Sequence, residues 1–503
     1  MNPLRAIDDY LNGITMYRLV LYGLATVAAV AVFFGFDGQL AYSGWELLAS
    51  LGMLLGLGYG INKLLAKVWN AQTNAESSLI TSLILFFIMA PPVSVTKTSA
   101  LVIAVLVAMA SKYVLATSRK HVFNPAAIAA IIVGLTGLGH ATWWVATPTL
   151  LPFTALLGLL VIRKIRRAQL FALFATTVLI VMTAIGLLQG NDIGLILRQA
   201  FTSWPLIFMG TIMLTEPSTM PSRHFQQMLY GLIVGILFAS QLKLGPISST
   251  PEVALAVGNV YAFVIGQRAQ LRLRFKTKTK LSSSIYDFSF TPERHLPFLA
   301  GQYAEWTLPH KRVDSRGNRR TFTIASNPLS EEIHIGIRVA QQSSSFKRAL
   351  MEMQPGDEVT IGQFTGNFVL PADSDQKLAL IAGGIGITPF LSMLEFLVDT
   401  GTTRDVVLIH LVNSPEDIGY DEALSRFAKH GIRVISVPRN ASANYRGLSG
   451  VFDAKMLQRE LPDYLERSFY LSGPHGMVAH YQDLLRKAGV ARSHIATDHF
   501  SGY

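Results

Sequence analysis

IAGGIGITP, Ile381–Pro389, stands between an apolar strand pattern, LALIA, and a helical run, FLSMLEFLV. Glycines at such a junction let the backbone come close to a pyrophosphate, and the N-terminus of the following helix favours its charge. A lone glycine-rich turn is weak evidence. Here a second glycine motif, YLSGPHGM at Tyr470–Met477, follows it. From Lys377 onward, strands such as LALIAG and DVVLIHLV alternate with helical stretches, the pattern of a parallel βα sheet. Residues 373–503 therefore read as a dinucleotide-binding α/β domain, with Gly383, Gly384, Gly386, Thr388 and Pro389 around the bound phosphates.

Upstream, LRLRFKTKTKLSSSIYDFSF alternates apolar and polar residues, as a strand, a turn and a second strand do. Residues 268–372 read as a small antiparallel β-barrel. Within it, Arg320-Thr321-Phe322-Thr323 offers a donor fork suited to phosphate, an aromatic face and a hydroxyl. This string resembles the flavin signature of the ferredoxin–NADP reductase superfamily, usually Arg-x-Tyr-Ser/Thr. Gly301-Gln302-Tyr303 matches the strand before it, and Ile324-Ala325-Ser326 continues it. Ser344-Ser345-Phe346 resembles the turn whose amides hold the flavin pyrophosphate, and PGD (Pro355–Asp357) and GQFTGNF (Gly362–Phe368) follow in family order. YLSGPHGM matches Cys-Gly-Pro-x-x-Met, with Ser472 in place of the cysteine beside the nicotinamide, followed by Gly473, Pro474 and Met477.

The resemblance implies FAD on Gln302, Tyr303, Arg320, Thr321, Phe322, Thr323, Ser326, Ser344 and Ser345. It implies hydride transfer from NAD(P)H with Thr323 and Ser472 at the reacting centre. Phe500 and the terminal Tyr503 resemble family aromatics that cover the flavin ring, although packing of a last strand accounts for them as well. Asn413-Ser414-Pro415-Glu416-Asp417 is acidic where a 2′-phosphate binder wants Arg or Lys, which favours NADH.

The first half differs in kind. Half of the 503 residues are hydrophobic and only 15% are charged, against roughly 25% in soluble domains. Runs approaching a membrane span of about 20 residues fall at 18–36, 45–66, 78–95, 99–117, 124–139, 148–162, 169–189, 199–215, 226–244 and 251–267. We read residues 1–267 as an all-α membrane domain of ten helices. The net charge of +11 comes from short loops rather than from a nucleic-acid surface. Lys63 and Lys67, then Lys112, Arg119 and Lys120, then Arg163, Lys164, Arg166 and Arg167, fall in alternate loops, and Arg223 and Arg268–Arg274 continue the series. The positive-inside rule then puts both termini and the second half in the cytoplasm, in a bacterial inner membrane. No cleavable signal peptide is expected, since Met1–Arg18 carries Asp8 and Asp9 and no small-residue cleavage pattern.

The chain has no cysteine. Disulfides, Cys-ligated iron–sulfur clusters and Cys-type zinc sites are excluded. Stacked haems need two His on each of two helices, and the membrane half offers only His121, His140 and His224, each near a loop. No metal is expected.

Two loop motifs, KHVFNPAAIA (Lys120–Ala129) and LTEPSTMPSR (Leu214–Arg223), resemble those of the flavin-binding membrane subunits of the sodium-pumping NADH:quinone reductase and the Rnf complex. That resemblance implies FMN near Asn124 and Glu216. Asn124-Pro125 and Glu216-Pro217 also read simply as helix breaks. In that family FMN can be esterified to a threonine within Ser/Thr-Gly-Ala-Thr. The nearest match is WVATPT with Thr147, where Trp144 and Val145 replace the Ser-Gly. Non-covalent flavin is equally open. A second, outer site is expected near Ala90–Lys97 and Thr147.

The combined expectation is a membrane flavoprotein that passes electrons from cytoplasmic NADH through FAD to membrane FMN. The final acceptor would be an extracytoplasmic flavoprotein, a quinone or a small oxidant. The alternatives are a membrane-anchored NAD(P)H dehydrogenase carrying FAD alone, and a redox-regulated transporter. Intramembrane acids are sparse, so ion pumping has little support.

Overall fold

The structure is a computed structural model. It describes the chain except residues 1–6, 8–10, 12–13, 70–74, 118–119, 222, 241, 245–246, 267–270, 312, 315–317, 341–342, 442–444 and 501–503. The chain divides into two compact units, Met1–Ala269 and Gln270–Tyr503.

The first unit is helical. Its elements are α1 (Met16–Phe36), α2 (Gly44–Val68), α3 (Ala75–Ile88), α4 (Val95–Val114) and α5 (Pro125–Thr136), with a short hairpin β1 (Ala116–Thr117) and β2 (Lys120–His121) before α5. Then come α6 (Leu151–Ile165), α7 (Ala168–Leu188), α8 (Ile193–Thr202), the single turn α9 (Leu206–Phe208) and α10 (His224–Ser240). A hairpin of β3 (Lys243–Leu244) and β4 (Ile247–Ser248) precedes α11 (Pro251–Ile265). Their starts are readable in residues: Ser43 and Glu46 form a capping box on α2, and Asn124 caps α5 with Pro125 in its first turn.

Among the described residues, four helices (α1, α2, α4 and α7) are long and apolar enough to cross a membrane. That is fewer than the ten expected spans: α5, α6, α10 and α11 are shorter helices of 12 to 17 residues, and two further runs are interrupted. The run at 78–95 stops being helical at Ile88, ahead of Pro91-Pro92. The run at 199–215 is broken: α8 ends at Thr202, Pro205 has no amide to continue the ladder, and Met209–Met213 form a π-helical turn. At the centre, α3 buries Ser78 and every residue from Thr81 to Ile88, and it packs against α1, α2, α4 and α5. A helix apolar all round belongs inside a bundle.

The second unit contains two sheets. The first comprises β5 (Leu271–Lys280), β6 (Ile285–Pro292), β7 (Tyr303–Thr307), β8 (Arg319–Thr323), β9 (Ile333–Arg338) and β10 (Glu358–Thr365). They run antiparallel in the order β8-β7-β10-β5-β6-β9. At the ends of that order, β8 and β9 form no ladder among the described residues, but Ala325 N–H, just past β8, donates to the His334 carbonyl of β9 at 2.8 Å. In β5, Leu271, Leu273 and Phe275 alternate inward, and the inward face also carries Phe288, Phe290 and Trp306. Helix α12 (Ser345–Glu352) lies between β9 and β10 and adds Phe346 and Leu350 to that core.

The second sheet is parallel, in the order β13-β12-β11-β14-β15. Its strands are β11 (Leu378–Gly383), β12 (Val406–Val412), β13 (Arg433–Pro438), β14 (Ser468–Pro474) and β15 (Ile495–Phe500). Helices α13 (Thr388–Asp399), α14 (Asp421–Lys429), α15 (Ala454–Glu460) and α16 (His475–Lys487) connect them. All six residues of β11 are buried, as expected of a parallel strand covered on both faces. Strand order reverses between β11 and β14, and ligands of open α/β sheets bind beyond the strand ends at such a switch point.

Candidate active site

Both glycine motifs meet at that switch point. Gly384–Ile387 form a 3₁₀ turn that leads straight into α13. The three glycines do different work. A Cβ on Gly386 would lie 2.4 Å from the Ser472 carbonyl oxygen, and one on Gly383 would lie 2.2 Å from Met477 Sδ. These two are small because β14 and α16 press against them, a packing reason that the pyrophosphate reading does not contain. Gly384 alone has open space beside it and a left-handed φ of +52°.

Ser472 is fully buried in β14, and its Oγ has no partner among the described residues. A buried hydroxyl without a partner is costly, which suits a position meant for a ligand. The Thr388 side chain turns back to the Ile385 carbonyl at 3.2 Å, and Pro389 lies in the first turn of α13. Gly473 and Pro474 end β14, and Pro474 stands opposite Phe500 in the ladder to β15. The Phe500 side chain and Tyr503 lie outside the described residues.

His410, in β12, did not stand out within the apolar run VVLIHLV. It is 1% exposed, and its Nε2 lies 3.2 Å from the Gly384 carbonyl. Burial pushes its imidazole down to about 4, although the Gly384 contact works the other way. A neutral ring facing a carbonyl must carry its proton on Nε2. His410 thereby fixes the one glycine whose backbone is open.

The flavin string lies on β8. Tyr303 pairs with Thr323, Ala304 with Phe322, Glu305 with Thr321 and Trp306 with Arg320. Thr323 is 4% exposed. The Phe322 ring lies 5.7 Å from Phe346, and the Arg320 guanidinium lies over Phe346 at 5.5 Å. Ser344 caps α12. The Ser345 amide donates to the Asp314 carboxylate at 2.9 Å, and Arg320 lies 3.6 Å from the same carboxylate. The donors expected to hold a phosphate thus already face an anion supplied by the chain, so they fit the group.

Two expected contacts have bonds within the protein. Gln302 accepts from Leu299 N–H at 2.9 Å and donates to the Gly366 carbonyl at 3.2 Å, bracing its own loop. The Ser326 hydroxyl accepts from His334 N–H at 3.1 Å.

In the first unit the two loop motifs come together. Asn124 Nδ2 donates to Glu216 at 2.8 Å, while Asn124 Oδ1 caps the amides of Ala126 and Ala127. Ser218 donates to Glu216 at 2.9 Å. Asn259 accepts from Asn124 N–H and donates to the Thr219 carbonyl. The charge of Lys112 acts on Glu216, and its ammonium donates to the Ser77 carbonyl near the start of α3.

Thr147 belongs to the other end of α3. Thr142 N–H donates to the Ile88 carbonyl and Val145 N–H to that of Phe87. Thr147 Oγ1 is buried without a partner among the described residues. It lines a recess with Phe201, Trp204, Pro205 and Phe208, beside the break between α8 and α9. Trp144, where the family motif has serine, is buried and donates to the Phe86 carbonyl at 2.7 Å.

Residues 380–483 match the model of the oxidoreductase NAD-binding domain. The glycine betaine monooxygenase reductase subunit of Chromohalobacter salexigens is 26% identical over 40% of this chain and 56% of its own length. The flavohemoprotein of Bacillus cereus is 26% identical over 44% of this chain and 59% of its own. The NADPH oxidoreductase of Mycobacterium tuberculosis is 25% identical over 36% and 47%. The chain spans about half the length of these relatives. Among solved structures, the FAD/NAD-binding domain of nitric oxide dioxygenase from Vibrio cholerae aligns with a TM-score of 0.42 at 20% identity, covering 46% of this chain and 98% of that one. With its motifs, the second unit is similar to these oxidoreductases, a reductase subunit, a flavohemoprotein and an NADPH oxidoreductase.

Proposed function

We propose that this protein is a membrane flavoprotein that takes electrons from cytoplasmic NADH through FAD to FMN in the helical unit, and on across the inner membrane to an acceptor. The acceptor is an extracytoplasmic flavoprotein, a quinone or a small oxidant. Arg320 and the α12 N-terminus would hold the flavin phosphates, Phe322 and Thr323 its ring, and Gly384 with the start of α13 the dinucleotide. When bound, FAD supplies the exchange of a two-electron hydride for single electrons. Ser472 brings a hydroxyl to the nicotinamide side, with its proton free to be donated. The acidic turn Pro415–Asp417 after β12 favours NADH over NADPH.

The observation that carries the membrane part is the placing of two polar sites at opposite ends of one buried helix. Asn124, Glu216 and Lys112 gather near Ser77, and the Thr147 recess gathers near Ile88. Those two points are about 16 Å apart along α3. The hydrocarbon layer is about 30 Å thick, so two carriers spaced in this way divide the crossing. Non-helical backbone at membrane depth is tolerated where it lines a cavity, which suits the α8–α9 break.

The test is flavin identity and stoichiometry in detergent-purified protein, with a fluorescence scan of the denatured band. The expected result is FAD plus one or more FMN per chain, with band fluorescence lost in Thr147→Ala if that residue carries the ester. FAD alone at one per chain would sink the relay and leave a membrane-anchored NADH dehydrogenase.

A further inference from the structure

Between the two sheets of the second unit runs a chain of polar groups, Asp287 buried and His334 and Tyr420 half-buried, that neither cofactor motif contains. Asp287 on β6 is 9% exposed. It accepts from the Tyr420 hydroxyl at 3.1 Å through one oxygen and lies 2.6 Å from His334 Nδ1 through the other. Tyr420 belongs to the parallel-sheet half, in the connection after β12, and Asp287 and His334 belong to the antiparallel half.

Tyr420 has φ +66°, a left-handed conformation that a bulky residue rarely adopts. Its hydroxyl fills a gap at Gly336, the residue opposite Asp287 in the β6–β9 ladder. A Cβ there would lie 2.2 Å from Tyr420 Oη, 2.7 Å from Thr388 Cγ2 and 3.1 Å from Ile385 Cδ1. The missing side chain of Gly336 is thus what lets the dinucleotide turn settle against the flavin sheet. A second tie lies close by: Ser392 on α13 donates to the Ser326 carbonyl at 2.7 Å, while the Ser326 hydroxyl accepts from His334 N–H.

We propose that Tyr420, Asp287 and Gly336 are positioning residues for hydride transfer, a latch that sets the separation of the flavin half from the nicotinamide half. The inference rests on reading those halves as the FAD and NADH sites. Near-attack geometry demands such a device, because a misplacement of about 1 Å can cost roughly a hundredfold in rate. Glu332, paired with Lys276 of β5 and with Ser289, also faces His334. Glu395 on α13 adds its charge, and Asp399 below it pairs with Arg426 of α14. Burial opposes the imidazolium of His334, but the Asp287 hydrogen bond and the charges of Asp287, Glu332 and Glu395 outweigh it and hold His334 above its ordinary range.

The experiment uses the full chain in detergent. Tyr420→Phe keeps the ring and loses the bond, and Gly336→Ala forces the halves apart. With FAD bound, rapid mixing with NADH yields the flavin reduction rate and the NADH dissociation constant separately. The expected outcome is a rate lowered on the order of tenfold in Tyr420→Phe and further in Gly336→Ala, with NADH affinity and FAD content within about twofold of wild type. Without FAD, hydrogen exchange provides a second readout: Tyr420→Phe is expected to speed exchange in both Ile333–Arg338 and Ile385–Thr388. An unchanged rate in Tyr420→Phe, exchange faster only around residue 420, or loss of FAD in place of loss of rate would each overturn the latch. A wild-type protein whose flavin NADH does not reduce would instead sink the underlying site assignment.

Discussion

Gly384 and Gly386 stand two residues apart in one turn, yet their substitution is expected to fail in different ways. Gly386→Ala drives a Cβ into the β14 backbone, which cannot yield as a flexible side chain can. We expect a loss of about 3 kcal/mol, seen as a lowered melting temperature. Gly384→Ala has open space and meets only the left-handed φ, a cost of roughly 1–2 kcal/mol. Its main effect should be on NADH affinity, read by titration. Glu395 yields a second prediction. Burial raises its carboxyl to about 7, against the Asn327 amide and the charge of His334, which lower it. A group whose folded pKa is raised contributes stability at low pH that is lost as pH climbs, here between about 4.5 and 7. Glu395→Gln removes the titration, so the variant should melt higher than wild type at pH 8, by on the order of 2 kcal/mol, and match it near pH 4.5. At this scale the sequence disclosed residues that sit inside motifs. His410, Asp314 and Tyr420 were not legible, because each acquires its role from a partner distant in sequence, and the only local sign was one histidine in an apolar strand.

At the scale of elements, apolar periodicity placed nearly every helix of the first unit within a few residues, since a buried helix must be apolar wherever it is buried. It could not mark the break in 199–215, where Pro205 and a π-turn interrupt a run that is apolar throughout. The parallel strands were legible as short apolar runs between helical stretches, while the order of the antiparallel strands depends on pairing between distant segments that no local pattern encodes. Asn124 joins element to site. Asn124→Ala removes the cap of α5, at about 1 kcal/mol, and also takes from Glu216 one of its donors, leaving Ser218 and Thr219. Asn124→Ser restores a cap without reaching Glu216. Thermal melting in detergent should show a smaller loss for serine than for alanine, and flavin in the helical unit should be lost in both. Retention of that flavin in both variants would remove Asn124 and Glu216 from the site.

For the whole molecule, the division at Ala269–Gln270 separates a unit with four helices, among the described residues, long and apolar enough to cross a membrane from a unit of two sheets. From the distribution of Lys and Arg among the loops we propose that the second unit faces the cytoplasm. NADH should therefore be oxidised by inverted membrane vesicles and not by sealed right-side-out cells. The central claim is that electrons delivered by NADH cross the bilayer through this one chain. Its most direct test is a sealed proteoliposome holding ferricyanide inside, with NADH supplied only outside. The account predicts NADH-dependent bleaching of the trapped ferricyanide, abolished when the helical unit is stripped of flavin. Bleaching confined to ferricyanide added outside, with the trapped pool untouched, would contradict it.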